Sequence, residues 1–201
     1  MATIGLDKLY YSVITEGENG VETYGAPQKL AKAMNVDLSV DVAEATLYAD
    51  DSAAENVREF AGGTITLGID DLSAEALKDL AGAHIDSNGV IVSSGEDVGN
   101  YVAIAFRAKK SNGKYRYYWL YRVKFSAPSD SYETKGDSVN FNTPTIEGSI
   151  SQRVKENSDG KHPWKAQIDE TDANKSIIDK WYEKVYEPSG STSTASLEKG
   201  A

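Results

Sequence analysis

The strongest pattern in this chain is an alternation of apolar and polar side chains with a period of two. Met34 to Asp41 sets Val36, Leu38 and Val40 against Asn35, Asp37, Ser39 and Asp41. Thr64 to Asp70 sets Ile65, Leu67 and Ile69 against Thr64, Thr66 and Asp70. Such alternation predicts strands with one buried face, because successive side chains of an extended backbone point to opposite sides. Leu9 to Ile14 also reads as a strand, followed by a turn at Glu18-Asn19-Gly20, a short extended piece Val21 to Tyr24 and a loop at Gly25-Ala26-Pro27. Ser138 to Val154 has strand character with Pro144 near its start; Ile146, Ile150 and Val154 are expected on one side, with Glu147, Ser149, Ser151 and Arg153 on the other.

Tyr101 to Lys109 and Tyr115 to Phe125 flank Ser111-Asn112-Gly113-Lys114. Asn-Gly is the preferred pair for a two-residue hairpin turn, whose central positions both need positive φ. That turn would place Ala108 opposite Tyr117, Phe106 opposite Trp119, Ile104 opposite Tyr121 and Val102 opposite Val123, all on one apolar face. Lys109 with Arg116, Arg107 with Tyr118, Ala105 with Leu120 and Ala103 with Arg122 would share the other.

Helical signals are fewer. Ser73 suits an N-cap, Glu75 the first turn, Leu72 with Leu77 a hydrophobic staple and Gly82 a stop, which predicts a short helix over 74–81. A second helix is expected from an Asp172 cap through Ile177, Ile178 and Trp181. Gly160-Lys161-His162-Pro163 breaks regular structure, and 187–201 is small and polar, reading as a flexible tail. Residues 42–63 show no long period. They read as a long connection whose apolar Leu47, Tyr48, Val57 and Phe60 suit docking onto another subunit. No internal repeat is visible.

Composition narrows the class. The 201 residues are 40% hydrophobic, enough for one domain with a sizeable core. No apolar run approaches the roughly 18 residues of a membrane span. Met1 to Leu9 lacks the features of a secretory signal, and the absence of cysteine removes disulfides and thiolate metal sites. The net charge of −10 is uneven: residues 1–100 carry 18 acids and 5 bases, and 101–201 carry 13 acids and 16 bases. One half of the chain is thereby suited to attract the other half of a neighbouring copy.

Candidate chemistry is sparse. His84 and His162 have no metal-ligand spacing around them. Asp50-Asp51 with Glu55 lacks a calcium-loop pattern. Asp70-Asp71 precede a helix, where acids favour the positive end of the dipole. Phosphate-binding and serine-hydrolase motifs are absent from the sequence. These observations point away from an enzyme and from any metal or cofactor. The basic aromatic stretch is the exception: 101–129 contains Arg107, Lys109, Lys110, Lys114, Arg116, Arg122 and Lys124 and no acid, interleaved with Tyr115, Tyr117, Tyr118, Trp119 and Tyr121. Single-strand nucleic-acid binders combine basic grooves with stacking aromatics, so hairpin 101–125 defines an alternative reading as a nucleic-acid module. The expected register buries most of these rings and leaves Tyr118 between two arginines.

Several stretches together carry a resemblance: Ile4 to Tyr11, Glu44 to Asp51, Gly68 to Ser73, Tyr101 through Phe125, Pro144 to Gly148 and Lys161 to Trp164. In their order and number the chain resembles the major tail protein family of long-tailed siphophages and prophages of Gram-positive bacteria. The resemblance implies an α+β fold, mainly β with one or two short helices: a sandwich-like or barrel-like core with a flanking helix. It implies a tail-tube domain over 1–186 with an N-terminal arm or strand at 1–16 and a long inter-ring loop at 42–63. Subunits of that family form hexameric rings that stack into a hollow tube through which DNA is ejected, without enzymatic activity or cofactor. Implied partners are the chain itself, a tape measure protein, tail terminator and distal tail proteins, and transiting DNA that is not specifically bound; no membrane is implied. The implied location is the virion tail, with assembly in the host cytoplasm. On that basis Asp37, Ser39, Asp41, Thr64, Thr66 and Glu147 are candidates to face the lumen. Leu47, Tyr48, Asp50, Asp51, Val57, Phe60, Arg107, Arg116, Tyr118 and Arg122 are candidates for contacts between subunits.

Overall fold

A computed structural model describes residues 2–17, 20–49, 52–129 and 143–189, with the backbone alone at 47–49 and 52–55. Glu18-Asn19 of the first expected turn, residues 138–142 of the expected late strand and residues 190–201 of the expected tail lie outside the described residues. In chain order the elements are β1 (Thr3–Glu16), β2 (Glu22–Tyr24), β3 (Gln28–Ala31), β4 (Ala33–Ala49), β5 (Ser52–Ile69), α1 (Ala74–Ala81), β6 (His84–Ile85), β7 (Ile91–Val92), β8 (Tyr101–Lys110), β9 (Tyr115–Phe125), β10 (Thr145–Ser151), β11 (Lys165–Asp169) and α2 (Lys175–Asp179). The fold is mainly β, built on an open antiparallel sheet with two short helices. The sheet runs β2-β1-β8-β9-β10-β5-β4, with β3 also on β1 and β11 also on β9.

The sheet curls. Leu6 of β1, Val36 and Leu38 of β4 and Phe106 of β8 line one cavity of about 530 Å³, so the edge strand β4 approaches β1 on the other side of the sheet. The curl encloses a core of Leu9, Tyr11, Leu30, Ile65, Leu67, Ile69, Val102, Ile104, Leu120, Val123, Ile146 and Ile150, closed by Ala76 and Leu80 of α1. Each such side chain removed from water contributes about 1.5–3 kcal/mol. The first helix follows its sequence signals. Ser73 Oγ accepts from the Ala76 N–H at 3.2 Å, and Gly82 ends the helix at φ 80°, a conformation without cost only for glycine. Tyr11 Oη donates to Asp79 on this helix at 3.0 Å, and burial raises the Tyr11 pKa above its ordinary value.

A second core lies on the opposite face of β8 and β9. Ala103, Ala105, Tyr117, Trp119 and Tyr121 pack there with Trp181 and Val185 from the C-terminal segment. This corrects the expected hairpin. Lys110 N–H donates to the Lys114 carbonyl at 2.8 Å and Gly113 N–H to the Lys110 carbonyl at 3.0 Å, so the loop has three residues, with Gly113 at φ 82°. A tight turn followed by one left-handed residue uses the same glycine as a two-residue turn but shifts the register by one. Ile104 therefore faces Leu120, Ala105 faces Trp119, Phe106 faces Tyr118 and Arg107 faces Tyr117; only beyond an irregularity between Val102 and Ile104 does Val102 face Val123 as expected.

Other expectations change too. Residues 42–63 are not an irregular connection: Val42 to Ala49 pairs with Ser52 to Phe60 as the outer part of a long β4–β5 hairpin. Register shifts at Asp41/Val42 and Leu47/Tyr48 interrupt the ladder. Such irregularities insert an extra residue, which hides the period of two in the sequence. Within the expected N-terminal arm or strand at 1–16, β1 pairs with β8 from Thr3 to Val13. Strand β10 ends at Ser151, so Arg153 is buried and Val154 is 51% exposed, the reverse of the expected sides. The second helix begins as a 3-10 turn over Asp172–Asn174 after Thr171, whose N–H donates to Asn174 Oδ1 at 2.9 Å. It ends at Asp179, leaving Trp181 beyond it.

Candidate functional site: a polar sheet face and a protruding hairpin

Strands β10 and β5 bury one face against the first core, β4 packs half-buried Val36 and Leu38 on it while Val40 is 41% exposed, and all three present the other face to solvent. Their register assembles the six lumen candidates on that open face. Glu147 pairs with Thr66, and Thr66 with Asp37 on its other side. Ser149, Thr64 and Ser39 form the next row, and Asp41 follows opposite Gly62. Lys124 of β9 extends the second row beside Ser149. Asp37, Ser39, Asp41 and Glu147 are exposed and Thr64 and Thr66 half-buried. The result is a hydroxyl-rich surface with three acids and one lysine. The sequence placed these residues on solvent faces of separate strands; the adjacency of those strands joins them. Asn35 and Gly68 continue the face, and Asn35 lies so close over Gly68 that a Cβ there would come within 1.8 Å of Asn35 Oδ1. Ser149, Lys124 and Gly68 were not among the expected site residues, because nothing in a local pattern announces a neighbour in another strand.

The inter-subunit candidates divide into groups. Asp50 and Asp51 lie outside the described residues, and Leu47 and Tyr48 are placed by backbone register opposite Glu55 and Ala53. Val57 is 44% exposed on the outer hairpin, together with Val42 at 56%. Phe60 instead turns inward and stacks on Trp164 at 4.7 Å and 10°, anchoring the base of the hairpin to the body. Glu44 joins the two outer strands by accepting from Asn56 and Arg58 at 2.7 and 3.0 Å, and these bonds lower its pKa.

The arginine candidates are ion-paired within the chain. Arg107 bonds Asp7 at 2.6 and 2.7 Å and lies 3.9 Å over the Tyr115 ring. Arg116 and Lys110 share Asp169 of β11 at 2.8 and 3.0 Å. Arg122 bridges Glu22 and Glu16 and lies 3.8 Å over the Tyr101 ring. Tyr118 is not open between arginines but stacks on Phe106 at 4.8 Å. The acidic first half therefore meets much of the basic hairpin inside one chain: Asp7, Glu16 and Glu22 belong to residues 1–22. Glu22 is buried and also accepts the Val154 N–H at 2.7 Å. Arg153, equally buried, reaches Glu187 at 2.9 Å and lies 4.9 Å over the Tyr121 ring, which extends the folded part through Glu187. Burial, reinforced by the Glu22 charge, pushes the Tyr24 hydroxyl up to about 12.

Asp169 makes this arrangement sensitive to acid. Its hydrogen bonds to Arg116 and then Lys110 hold its carboxyl well below the usual range. A depressed folded-state pKa contributes stability that is complete above the unfolded value and lost as pH falls below it. Asp169 is 42% exposed, so solvent screening limits the gain to about 0.2–1 kcal/mol. Asp169→Asn is expected to flatten the decline in melting temperature between about pH 5 and about pH 2.5, given an unfolded aspartate near pH 3.9. An unchanged slope in paired melts would show that Asp169 does not contribute.

No protein-family model matches the chain, and no curated protein matches it. Among solved structures, a chain of the six-fold symmetrised anti-feeding prophage baseplate aligns with 84% of this chain and 97% of its own length, at 8% identity and a TM-score of 0.38. A chain of the SPP1 tail tube aligns with 85% of this chain and 83% of its own, at 11% identity and a TM-score of 0.36. Similarities this remote establish neither a family nor a function.

Proposed function

We propose that the chain is a structural subunit that assembles with copies of itself into stacked hexameric rings, forming the hollow tail tube of a phage. The observation that carries this reading is the edge strand β4. It spans 17 residues and, among the described residues, pairs with β5 alone. An edge this long presents a row of backbone donors and acceptors that a neighbouring strand satisfies. Two β4 edges are poorly suited to each other, because Asp37, Asp41 and Glu44 would face like charges. Pairing with a different edge of the next copy is a head-to-tail contact, and such contacts close into rings when the rotation permits.

In a closed ring the polar face of β10, β5 and β4 is the natural lining of the lumen. Hydroxyls keep it wet, and Asp37, Asp41 and Glu147 oppose phosphate, so DNA slides without being held. The role is mechanical, with no catalytic step and no cofactor. Tape measure, terminator and distal tail proteins would bound the tube, in the virion and, during assembly, in the host cytoplasm.

The nucleic-acid alternative loses its main support. Tyr117, Trp119 and Tyr121 are buried, and Arg107, Arg116 and Arg122 are occupied by carboxylates. Purified chain imaged in negative stain at rising concentration is expected to show rings or tubes with a hollow centre, and to retain no single-stranded DNA in a low-salt gel shift. Monomers alone at high concentration, with or without other tail components, would overturn the proposal.

A further inference from the structure

Between α1 and β8 the chain holds aliphatic side chains out in water. Val90, Ile91, Val92 and Val98 are 54%, 40%, 46% and 68% exposed. Strands β6 and β7 form a small hairpin there, with His84 opposite Val92 and Ile85 opposite Ile91. Its turn is tied: the Asp86 carboxylate accepts the N–H groups of Asn88 and Val90, each at 2.8 Å. The loop that follows is tied as well. Asp97 accepts the Ser94 N–H at 2.7 Å, and Asn100 donates from its backbone and its side chain to the Asp79 carbonyl of α1 at 3.1 and 3.0 Å. Gly99 lets loop and helix touch, since a Cβ there would lie 1.8 Å from the Leu80 carbonyl oxygen. The valines are thus displayed on a fixed surface.

That surface is acidic. From Asp79 to Phe106 the sequence holds Asp79, Asp86, Glu96 and Asp97 and neither lysine nor arginine. Lys124 of β9 lines the cleft of about 710 Å³ beside Asp97 and Val98, and it rests 5.0 Å over the Tyr101 ring. An aliphatic patch among acids disfavours its own image, because carboxylate would meet carboxylate. It suits a concave surface with an aliphatic floor and a basic rim.

The chain itself has such a surface. Lys8, Lys29 and Lys32, all exposed, gather around a groove of about 470 Å³ floored by half-buried Leu6, Ala31 and Ala33. The acids nearby offset them incompletely: Asp7 in the same groove is bonded to Arg107, and Asp70 lies 3.6 Å from Lys32, whose side chain remains 81% exposed. Lys8 sits in the bulge between Asp7 and Tyr10 at φ 54°, a conformation uncommon outside glycine and kept where the position has a use. Among the described residues the hairpin valines are exposed and the groove is open, so the two surfaces do not meet within one chain.

We infer that the aliphatic, acidic surface of residues 84–98 docks into the lysine groove of a second copy of this chain. This rests on the proposed self-assembly, and it adds to the β4 edge a second contact between copies, made by side chains instead of backbone. The two surfaces differ, so a bound copy still offers one free groove and one free hairpin. A heterologous contact of that kind continues into a ring or a filament and does not end at a dimer. Its charged component weakens with salt, since exposed pairs are screened over about 8–10 Å at ordinary ionic strength.

The chain has no cysteine, so introduced thiols test the contact directly. A variant carrying Ala33→Cys and Val92→Cys, treated with a short bismaleimide under assembling conditions, is expected to give a ladder of linked copies on a denaturing gel. Each single variant is expected to run as a monomer. No ladder from a double variant that still forms rings or tubes, or a linked dimer from Val92→Cys alone, would overturn the docking assignment and leave the assembly standing. A second variant, Val90→Ser with Val92→Ser, is expected to melt within a few degrees of the parent, since both positions are exposed. It is expected to need about tenfold more protein to assemble, equivalent to about 1.4 kcal/mol of association free energy. Assembly at the parental concentration would likewise overturn the docking assignment. Failure of the parent chain to form rings or tubes would instead overturn the assembly itself.

Discussion

Arg122→Glu is expected to destabilise the isolated chain by about 3–5 kcal/mol, the usual cost of leaving a buried charge without its partner. Arg122 is 12% exposed and binds Glu22, whose side chain is fully buried, and Glu16. Reversal would place three carboxylates together, with Glu22 fully buried and Glu16 51% exposed. It would also remove the guanidinium from the Tyr101 ring. Denaturant unfolding of the unassembled chain at low concentration measures the effect. A variant that keeps its monomer stability and loses only assembly would show that Arg122 acts between copies, as the charge asymmetry of the sequence first suggests.

Trp181→Ala is expected to cost about 3–5 kcal/mol, in the range for removing a buried aromatic residue. Ala103 and Ala105 are small, so β8 and β9 leave a hollow that Trp181 fills at 2% exposure. Its ring stacks on Tyr186 at 5.2 Å and meets Tyr117 edge-on at 6.2 Å. Its carbonyl accepts the Trp119 indole N–H at 3.1 Å, a fully buried donor. Without the ring the C-terminal segment loses its hold, and Tyr121, bonded to the Tyr186 carbonyl at 2.9 Å, becomes accessible. Hydrogen exchange should quicken over 165–187 and change less in β4 and β5, with Trp181→Phe retaining most of the protection. Equal exchange in parent and Trp181→Ala would refute this role.

Both effects arise where local pattern was silent. Trp181 reads in sequence as the end of an amphipathic helix, and only the packed structure shows it as the cover of a second core. Arg122 and Glu22 are 100 residues apart. The hairpin register illustrates the same limit. Both faces of β8 and β9 are buried, so Phe106 and Ile104 on one side and Tyr117 and Trp119 on the other are apolar alike. A register shifted by one therefore satisfies the pattern equally well, and the three-residue loop decides. The outer β4–β5 hairpin was hidden for a different reason: it is interrupted by bulges, and its described residues 42–45 and 56–59 are exposed on both faces, so no buried side there imposes a period.

What the sequence determined by itself is the strands with one wet face. In 34–41, 64–70 and 146–150 alternation follows from backbone geometry alone, and the solvent side of each was legible as Asp37, Ser39, Asp41, Thr64, Thr66 and Glu147. The first helix, with its Ser73 cap and Gly82 stop, was equally legible, because capping is satisfied within a few residues. The tertiary structure decided which strands are neighbours and hence that these six residues share one surface. It also decided that the arginines of the basic hairpin are neutralised within the chain, and that Lys8, Lys29 and Lys32 converge. Those outcomes depend on contacts between distant segments, whose energies come from burial and pairing that no local spacing records.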